Sequence, residues 1–258
     1  PNLRSIYISI LMPLCAQQMC SPAQPLRRAS NLALMSEPMS PSVGMAVIHL
    51  FGHPAADFDG EAVIAAVKNA QSQGVQVVSV SMLGHKSDLA FMAVSSDMRE
   101  LRSFQTALQH AGVFIGDSYV SLTEVSEYAA NVPEEMRNAR LYPQLPPAGK
   151  NAWCFYPMSK KRDPECNWFT LPFEKRSELM MEHGKSGRTF AGRILQLVTA
   201  SAGFDDFEWG VTLFGVHADD LKDVVYTMRF DEASAKYADF GSFYVGIVTP
   251  VEELVASL

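Results

Sequence analysis

The chain has 258 residues, 48% hydrophobic content and a formal net charge of −7. This length can bury a sizeable core in one domain or in two fused domains of about 100 residues each, and the composition excludes a wholly disordered chain. The acidic balance argues against a nucleic-acid partner, because neutralising phosphates requires clustered Lys and Arg.

Cysteine spacing and hydropathy restrict the class of protein further. The cysteines lack the CxxC spacing of zinc sites, which predicts reduced thiols and a cytoplasmic location. No apolar run reaches the 18 residues of a membrane span, so we expect no span. The four cysteines are Cys15, Cys20, Cys154 and Cys166.

Residues 1–43 are rich in Ser, Pro and Met, which predicts an unstructured extension. Arg4 and the apolar segment 6–15 resemble a secretory signal peptide, although Pro13 interrupts that segment. The segment 35–39 begins and ends with Met and would also be a natural start. The sequence leaves open whether residues 1–43 belong to the native protein, form a signal peptide or are an upstream extension.

Residues 44–130 are predicted to form a ferredoxin-like repeat, with the order strand, helix, strand, strand, helix, strand. Short apolar runs with β-branched residues predict the strands, and helical spacing after acidic capping residues predicts the helices. The predicted strands are 45–51, 75–82, 88–95 and 119–125, and the predicted helices are 62–70 and a second one between Asp97 and Gly112.

Residues 152–258 repeat this order after a proline-rich linker at 131–151. We therefore predict an α+β protein in which two fused ferredoxin-like repeats pack their bare sheet faces into a dimeric α+β barrel. The first repeat would complete the barrel and provide subunit contacts. The predicted strands are 153–158, 189–199, 208–216 and 243–249, and the predicted helices are 173–183, ended by Gly184, and one capped by Asp219.

Three side chains in the second repeat suggest redox chemistry at a metal. His183, at the predicted helix end, can bind a metal through a neutral imidazole nitrogen, although a histidine there also suits the helix dipole. Tyr156 and Lys160 are four residues apart on a strand, so both can face one cavity. An oxidisable phenol and an ammonium beside a metal ligand suggest an iron porphyrin site.

Several arginines could bind the carboxylates of such a ligand, since a guanidinium matches the geometry of a carboxylate. Surface ion pairs are the alternative for each of Arg140, Arg188 and Arg229. Gln196 lies within an apolar strand, where its amide must find hydrogen bonds or face a cavity.

Five ordered motifs of the second repeat closely resemble the chlorite dismutase-like superfamily and, within it, the coproheme decarboxylases. Residues 117–128 (DSYVSLTEVSEY) in the first repeat also resemble that family, so the resemblance covers about 45–248. The five motifs are FYPMSKKR (155–162), NW (167–168), MMEHGKSGR (180–188), FDDFEWGVTLF (204–214) and MRFDEASAKYADFGSFYVG (228–246).

The resemblance implies an enzyme of haem biosynthesis that uses hydrogen peroxide to remove two propionate carboxyls from iron coproporphyrin III, giving haem b. It also implies a homopentamer of dimeric α+β barrels and contact with a ferrochelatase. Residue by residue, it makes His183 the iron ligand. Tyr156, Lys160 and Gln196 match the catalytic residues, and Arg140, Trp168, Arg188, Arg229 and Ser234 match the substrate-binding residues.

In the mechanism that the resemblance implies, Tyr156 becomes a radical that removes a hydrogen from the β-carbon of a propionate. Two alternatives remain open from the sequence. In chlorite dismutases an arginine takes the place of Gln196, and the counterparts of Tyr156 and Lys160 are not required. A non-catalytic haem-binding protein would need His183 and the arginines but not Tyr156.

Overall fold

A computed structural model describes residues 39–129 and 132–258, so residues 1–38 of the predicted extension lie outside the described part of the chain. Within the described residues, no helix combines the length and the apolar character needed to cross a membrane.

The first half has its elements in the predicted order. Asp59 and Asp97 cap the two helices by accepting hydrogen bonds from backbone N–H groups of the first turn. The last strand begins at Val113 rather than at 119, because it pairs with the first strand as far as Pro54. The elements are β1 (Ala46–Pro54), α1 (Gly60–Ser72), β2 (Gln76–Leu83), β3 (Leu89–Ser95), α2 (Met98–His110) and β4 (Val113–Thr123).

The second half has the predicted main elements and several short additions. A helix, α3 (Glu134–Leu141), lies within the segment predicted as a linker. The larger elements are β5 (Ala152–Lys160), α4 (Phe173–Arg188), β8 (Ile194–Ala200), β9 (Trp209–Gly215), α5 (Ala218–Met228) and β11 (Tyr244–Val248). The shorter elements are β6 (Arg162–Asp163), β7 (Cys166–Asn167), α6 (Glu232–Ala235), β10 (Ala238–Phe240) and α7 (Val251–Ala256).

Three predicted boundaries in this half are wrong. α4 does not end at Gly184 but continues to Arg188, so His183 lies inside the helix. A helical glycine costs only about 1 kcal/mol relative to alanine, which packing against α5 and α6 can offset. β8 begins at Ile194 rather than at 189, after a turn. The N-cap of α5 is His217 rather than Asp219.

One antiparallel sheet contains nine strands from both halves, in the order β10-β5-β11-β2-β3-β1-β4-β8-β9. β11 pairs with β2 and β4 pairs with β8, so hydrogen bonds join the two halves directly. β9 also pairs with β5 over seven residue pairs, so β9 is hydrogen-bonded to both β8 and β5.

The two faces of this sheet have different packing partners. One face buries a shared aromatic cluster that includes Phe51, Trp153, Phe155 and Phe214, with residues from strands of both halves. On the other face, helices α1, α2 and α7 cover the first half. Helix α5 covers β5 and β9, and this second covered region contains Tyr156.

Candidate functional site

Two predicted site residues lie on the sheet face beneath α5, on the two strands that flank β9. Tyr156 on β5 pairs with Val211 on β9, and Gln196 on β8 pairs with Leu213, two residues farther along β9. Side chains two residues apart on a strand share a face. From strand spacings, the Cα atoms of Tyr156 and Gln196 are about 12 Å apart.

Tyr156 is buried against aromatic rings of the segment before β11. Its ring stacks on Phe243 with 4.5 Å between centroids and an interplanar angle of 23°, and it meets Phe240 edge-on at 5.7 Å. Burial raises the pKa of the phenol above its usual value, with a smaller contribution from Cys154. The phenol is therefore protonated at neutral pH and can supply a proton together with an electron.

Lys160, at the end of β5, holds its ammonium in a buried position. Nζ donates a hydrogen bond to the carbonyl of Ala233 on α6 at 2.6 Å and lies 4.4 Å from the ring centroid of Trp168. Burial lowers the pKa of Lys160 to about 8, while the negative charge of Glu208 acts in the opposite direction. The contacts join β5, α6 and Trp168 in one cluster.

His183 lies on α4 with its imidazole directed toward the segment that contains α6. Its Nδ1 is 3.2 Å from Oδ2 of Asp231 and 3.4 Å from Oγ of Ser234. These contacts occupy Nδ1 and leave Nε2 as the ring nitrogen for a metal bond. Burial and the positive charge of Lys160 lower the pKa of His183, although Asp231 raises it, and the neutral imidazole required of a ligand is favoured.

The predicted carboxylate-binding arginines near α4 and α5 are exposed at helix ends. Arg188 is the last residue of α4, and Arg229 follows α5 with its guanidinium 4.0 Å from the ring centroid of Tyr226. Within the described part of the chain, no carboxylate forms an ion pair with either of them. Both are therefore available to an anionic ligand.

Two predicted residues lie apart from this cluster. Arg140 is exposed on α3. The carbonyl of the next residue, Leu141, accepts a hydrogen bond from the hydroxyl of Thr123 at the end of β4. Gln196 is exposed on β8. No hydrogen bond or ion pair among the described residues connects either side chain to His183 or Lys160.

Three residues near the cluster were missed by the sequence analysis. Asp231 contacts His183, and its Oδ1 accepts a hydrogen bond from Ser186 at 2.7 Å. Glu208 accepts a hydrogen bond from the backbone N–H of Lys160 at 2.9 Å. Tyr128 packs edge-on against Trp168 at 6.4 Å, so the first half contributes to the site more than predicted. Each lies within a matched motif, but its role depends on a tertiary contact.

The donor set fits an iron porphyrin better than a metal held by side chains alone. Among residues 39–129 and 132–258, no group of three or more His, Cys, Asp or Glu side chains could hold a metal ion. An iron porphyrin supplies most ligands from its ring and needs only one imidazole from the protein. The exposed guanidiniums of Arg188 and Arg229 would suit its propionates.

Comparison with known proteins identifies a family and curated relatives. The family model described as chlorite dismutase matches residues 59–249. A coproheme decarboxylase of Staphylococcus carnosus is 45% identical over 186 residues, which cover 67% of this chain and 73% of the relative. The coproheme decarboxylase of Staphylococcus saprophyticus is also 45% identical, over 184 residues and the same shares of both chains.

Solved structures share this fold. A structure described as a novel heme-binding protein from Thermus thermophilus has a TM-score of 0.74 and 31% identity, covering 83% of this chain and 95% of that one. A mutant chlorite dismutase from Candidatus Nitrospira defluvii has a TM-score of 0.67, with coverage of 84% and 96%. Its identity of 18% supports the fold alone.

Proposed function

The chain belongs to the chlorite dismutase family, and we propose that it is an oxidoreductase of haem biosynthesis that decarboxylates two propionates of iron coproporphyrin III to give haem b. Hydrogen peroxide is the oxidant. The observation that supports this reaction best is the position of Tyr156 and Lys160 on one buried strand, with the charge of Lys160 acting on His183 of α4. The identity to two coproheme decarboxylases agrees with it.

In this proposal His183 binds the iron through Nε2, and Asp231 orients the imidazole from Nδ1. Arg188, Arg229 and Ser234 bind propionates, with Trp168 on the substrate face. Several binding residues are needed because the propionates that do not react must hold the porphyrin in a fixed position. Arg140 binds a further propionate.

The chemistry at each propionate is an oxidation that removes two electrons. One propionate, one peroxide and one proton give a vinyl group, carbon dioxide and two waters. When bound, the iron would react with the peroxide. The protein supplies the groups that act on the propionate. Tyr156 gives up its proton and an electron, and its radical removes a hydrogen from the β-carbon. Lys160 binds the reacting carboxylate, and Gln196 would lie on the side of the ring opposite His183.

A non-catalytic haem-binding function is the second candidate, because a relative at 31% identity is described as a heme-binding protein. Such a protein would have no use for a buried phenol, which Tyr156 provides in its stack on Phe243. Chlorite dismutation has less support, since the resemblance to the superfamily implies an arginine in the dismutases where this chain has Gln196.

The proposal extends to architecture and assembly. The two halves are ferredoxin-like repeats, at 44–130 and 152–258, joined by the linker 131–151, and they form a dimeric α+β barrel. The pairing of β5 with β9 and the shared aromatic cluster support this arrangement. We further propose a cytoplasmic homopentamer that receives its substrate from a ferrochelatase. The free cysteines Cys154 and Cys166 are consistent with a reducing compartment.

Tyr156→Phe tests the reaction. The wild-type protein should convert iron coproporphyrin III to haem b when titrated anaerobically with peroxide, as measured by mass spectrometry of the porphyrin. The variant should bind the same porphyrin, since the ring is preserved, but release little haem b. Tyr142→Phe removes the same hydroxyl from an exposed tyrosine and serves as the matched control. Wild-type conversion by Tyr156→Phe would contradict the tyrosine mechanism, and an unchanged porphyrin with the wild-type protein would favour simple haem binding.

A further inference from the structure

A buried glutamate lies where the pairing between β9 and β5 ends. Glu208 is only 8% exposed and precedes β9, and the last paired residues of the two strands are Met158 and Trp209. Its backbone N–H contacts the carbonyl of Met158 at 3.2 Å and Oγ of Ser159 at 3.1 Å. The main chain of Glu208 is therefore fixed against the end of β5.

The carboxylate of Glu208 continues this connection beyond the last strand pair. Oε2 accepts a hydrogen bond from the backbone N–H of Lys160 at 2.9 Å, and Oε1 accepts one from the guanidinium of Arg162. Residues two apart on a strand direct their N–H and C=O groups to the same edge. The carbonyl of Met158 faces β9, so the N–H of Lys160 faces the β9 side as well. A side-chain carboxylate thus takes the place of a strand partner.

The other contacts of Lys160 depend on the position of this backbone. On the opposite edge of β5, Lys160 pairs with Ala238 of β10. Its Nζ reaches the carbonyl of Ala233 at 2.6 Å and lies over the ring of Trp168. A shift of the strand end would move the ammonium relative to both partners.

We propose that Glu208 is a positioning residue of the decarboxylation site, because its carboxylate fixes the end of β5 and thereby places the ammonium of Lys160. The inference rests on the proposed function. If this proposal holds, the length of the side chain at position 208 matters, because its oxygen must reach the N–H of Lys160. The amide oxygen of a glutamine has the same reach as the carboxylate oxygen of Glu208.

Glu208→Asp and Glu208→Gln separate length from charge. Glu208→Asp keeps the charge but shortens the side chain, so kcat for haem b formation should fall about tenfold or more, since misplacements near 1 Å can cost that much. Glu208→Gln keeps an acceptor at the original reach, so its kcat, measured at pH 6 where Lys160 is charged, should stay within about threefold of wild type. Arg162→Gln, which removes the other partner of the carboxylate, is the matched control and should also retain kcat. KM should change little in all three variants.

Hydrogen exchange of the Lys160 amide provides a readout that does not depend on turnover. Protection should be lost in Glu208→Asp and kept in Glu208→Gln. Retained kcat and retained protection in Glu208→Asp would overturn the proposal, as would a tenfold loss of kcat in Glu208→Gln or in Arg162→Gln, because charge would then matter rather than reach. If the wild-type protein forms no haem b, the proposed function fails instead, whereas the exchange data still test the contact.

Discussion

At the scale of a single side chain, His183 determines whether an iron porphyrin binds through an imidazole. Removing that imidazole in His183→Ala should weaken binding of iron coproporphyrin III about tenfold or more and change the Soret band of the ferric complex, because the iron loses its protein ligand. Absorbance titration measures both effects. His85→Ala, at an exposed turn, is the control. A wild-type affinity and Soret band in His183→Ala would exclude the histidine as the ligand.

Lys160 predicts a pH dependence of turnover. Burial lowers its pKa from 10.5 to about 8, so the charged form is lost as the pH rises through about 8. If the ammonium binds a propionate, kcat/KM should fall above pH 8, since this parameter reports groups of the free enzyme. Lys160→Arg keeps its charge and should not show the decline. The pKa values of Tyr156 and Cys154 are raised by burial, so neither thiol nor phenol titrates in this range. An identical decline in Lys160→Arg would show that another group titrates.

At the scale of the helices, the ends of α4 and α5 present the arginines to a carboxylate-rich ligand. Arg188→Ala and Arg229→Ala should each weaken binding of iron coproporphyrin III by roughly one to two decades, the worth of a charged hydrogen bond. Binding of an iron porphyrin with fewer carboxylates should weaken less. Isothermal titration with both porphyrins measures the difference. Arg102→Ala, on the exposed side of α2, is the control. Equal losses for the two porphyrins would indicate an effect on folding.

The same helices show where local sequence signals were insufficient. Gly184 predicts a helix end, yet α4 continues for another turn to Arg188. Ser186 on this extra turn donates a hydrogen bond to Asp231, and Gly187 lies close to Met228. Tertiary packing therefore extends the helix beyond its local stop signal, and it places His183 in a helix interior.

At the scale of the whole molecule, we expect a histidine buried in the shared interior to make the fold sensitive to acid. The Nε2 atom of His49 is 2.9 Å from Oγ1 of Thr212, and its ring stacks on Phe155 at 4.2 Å. Burial lowers the pKa of His49 from 6.5 to about 3. Above pH 6.5 the histidine is neutral in both the folded and the unfolded states, so it costs no stability. Below pH 6.5 only the unfolded state gains the proton, and stability falls until the pH reaches the folded pKa.

His49→Gln should therefore lose less stability on acidification than the wild-type protein. Each pH unit below 6.5 costs about 1.4 kcal/mol through this one group, so about 2 kcal/mol is lost by pH 5. Glutamine keeps a hydrogen-bonding group near Thr212 but does not titrate. Urea unfolding of both proteins at pH 7.5 and pH 5 measures the difference. Parallel losses of unfolding free energy in the two proteins would show that His49 does not cause the acid sensitivity.

The sequence by itself determined the order of the main strands and helices, because strand and helix periodicities are local signals that survive in both halves. It also marked Tyr156 and the residues that now cluster, Lys160, Trp168, His183 and Ser234, since matched motifs identify residue types. Only the tertiary structure decided which side chains meet. The contacts of Asp231 with His183, of Glu208 with Lys160 and of Tyr128 with Trp168 join residues 25 or more positions apart. Such contacts depend on strand pairing and helix packing, which no local pattern specifies.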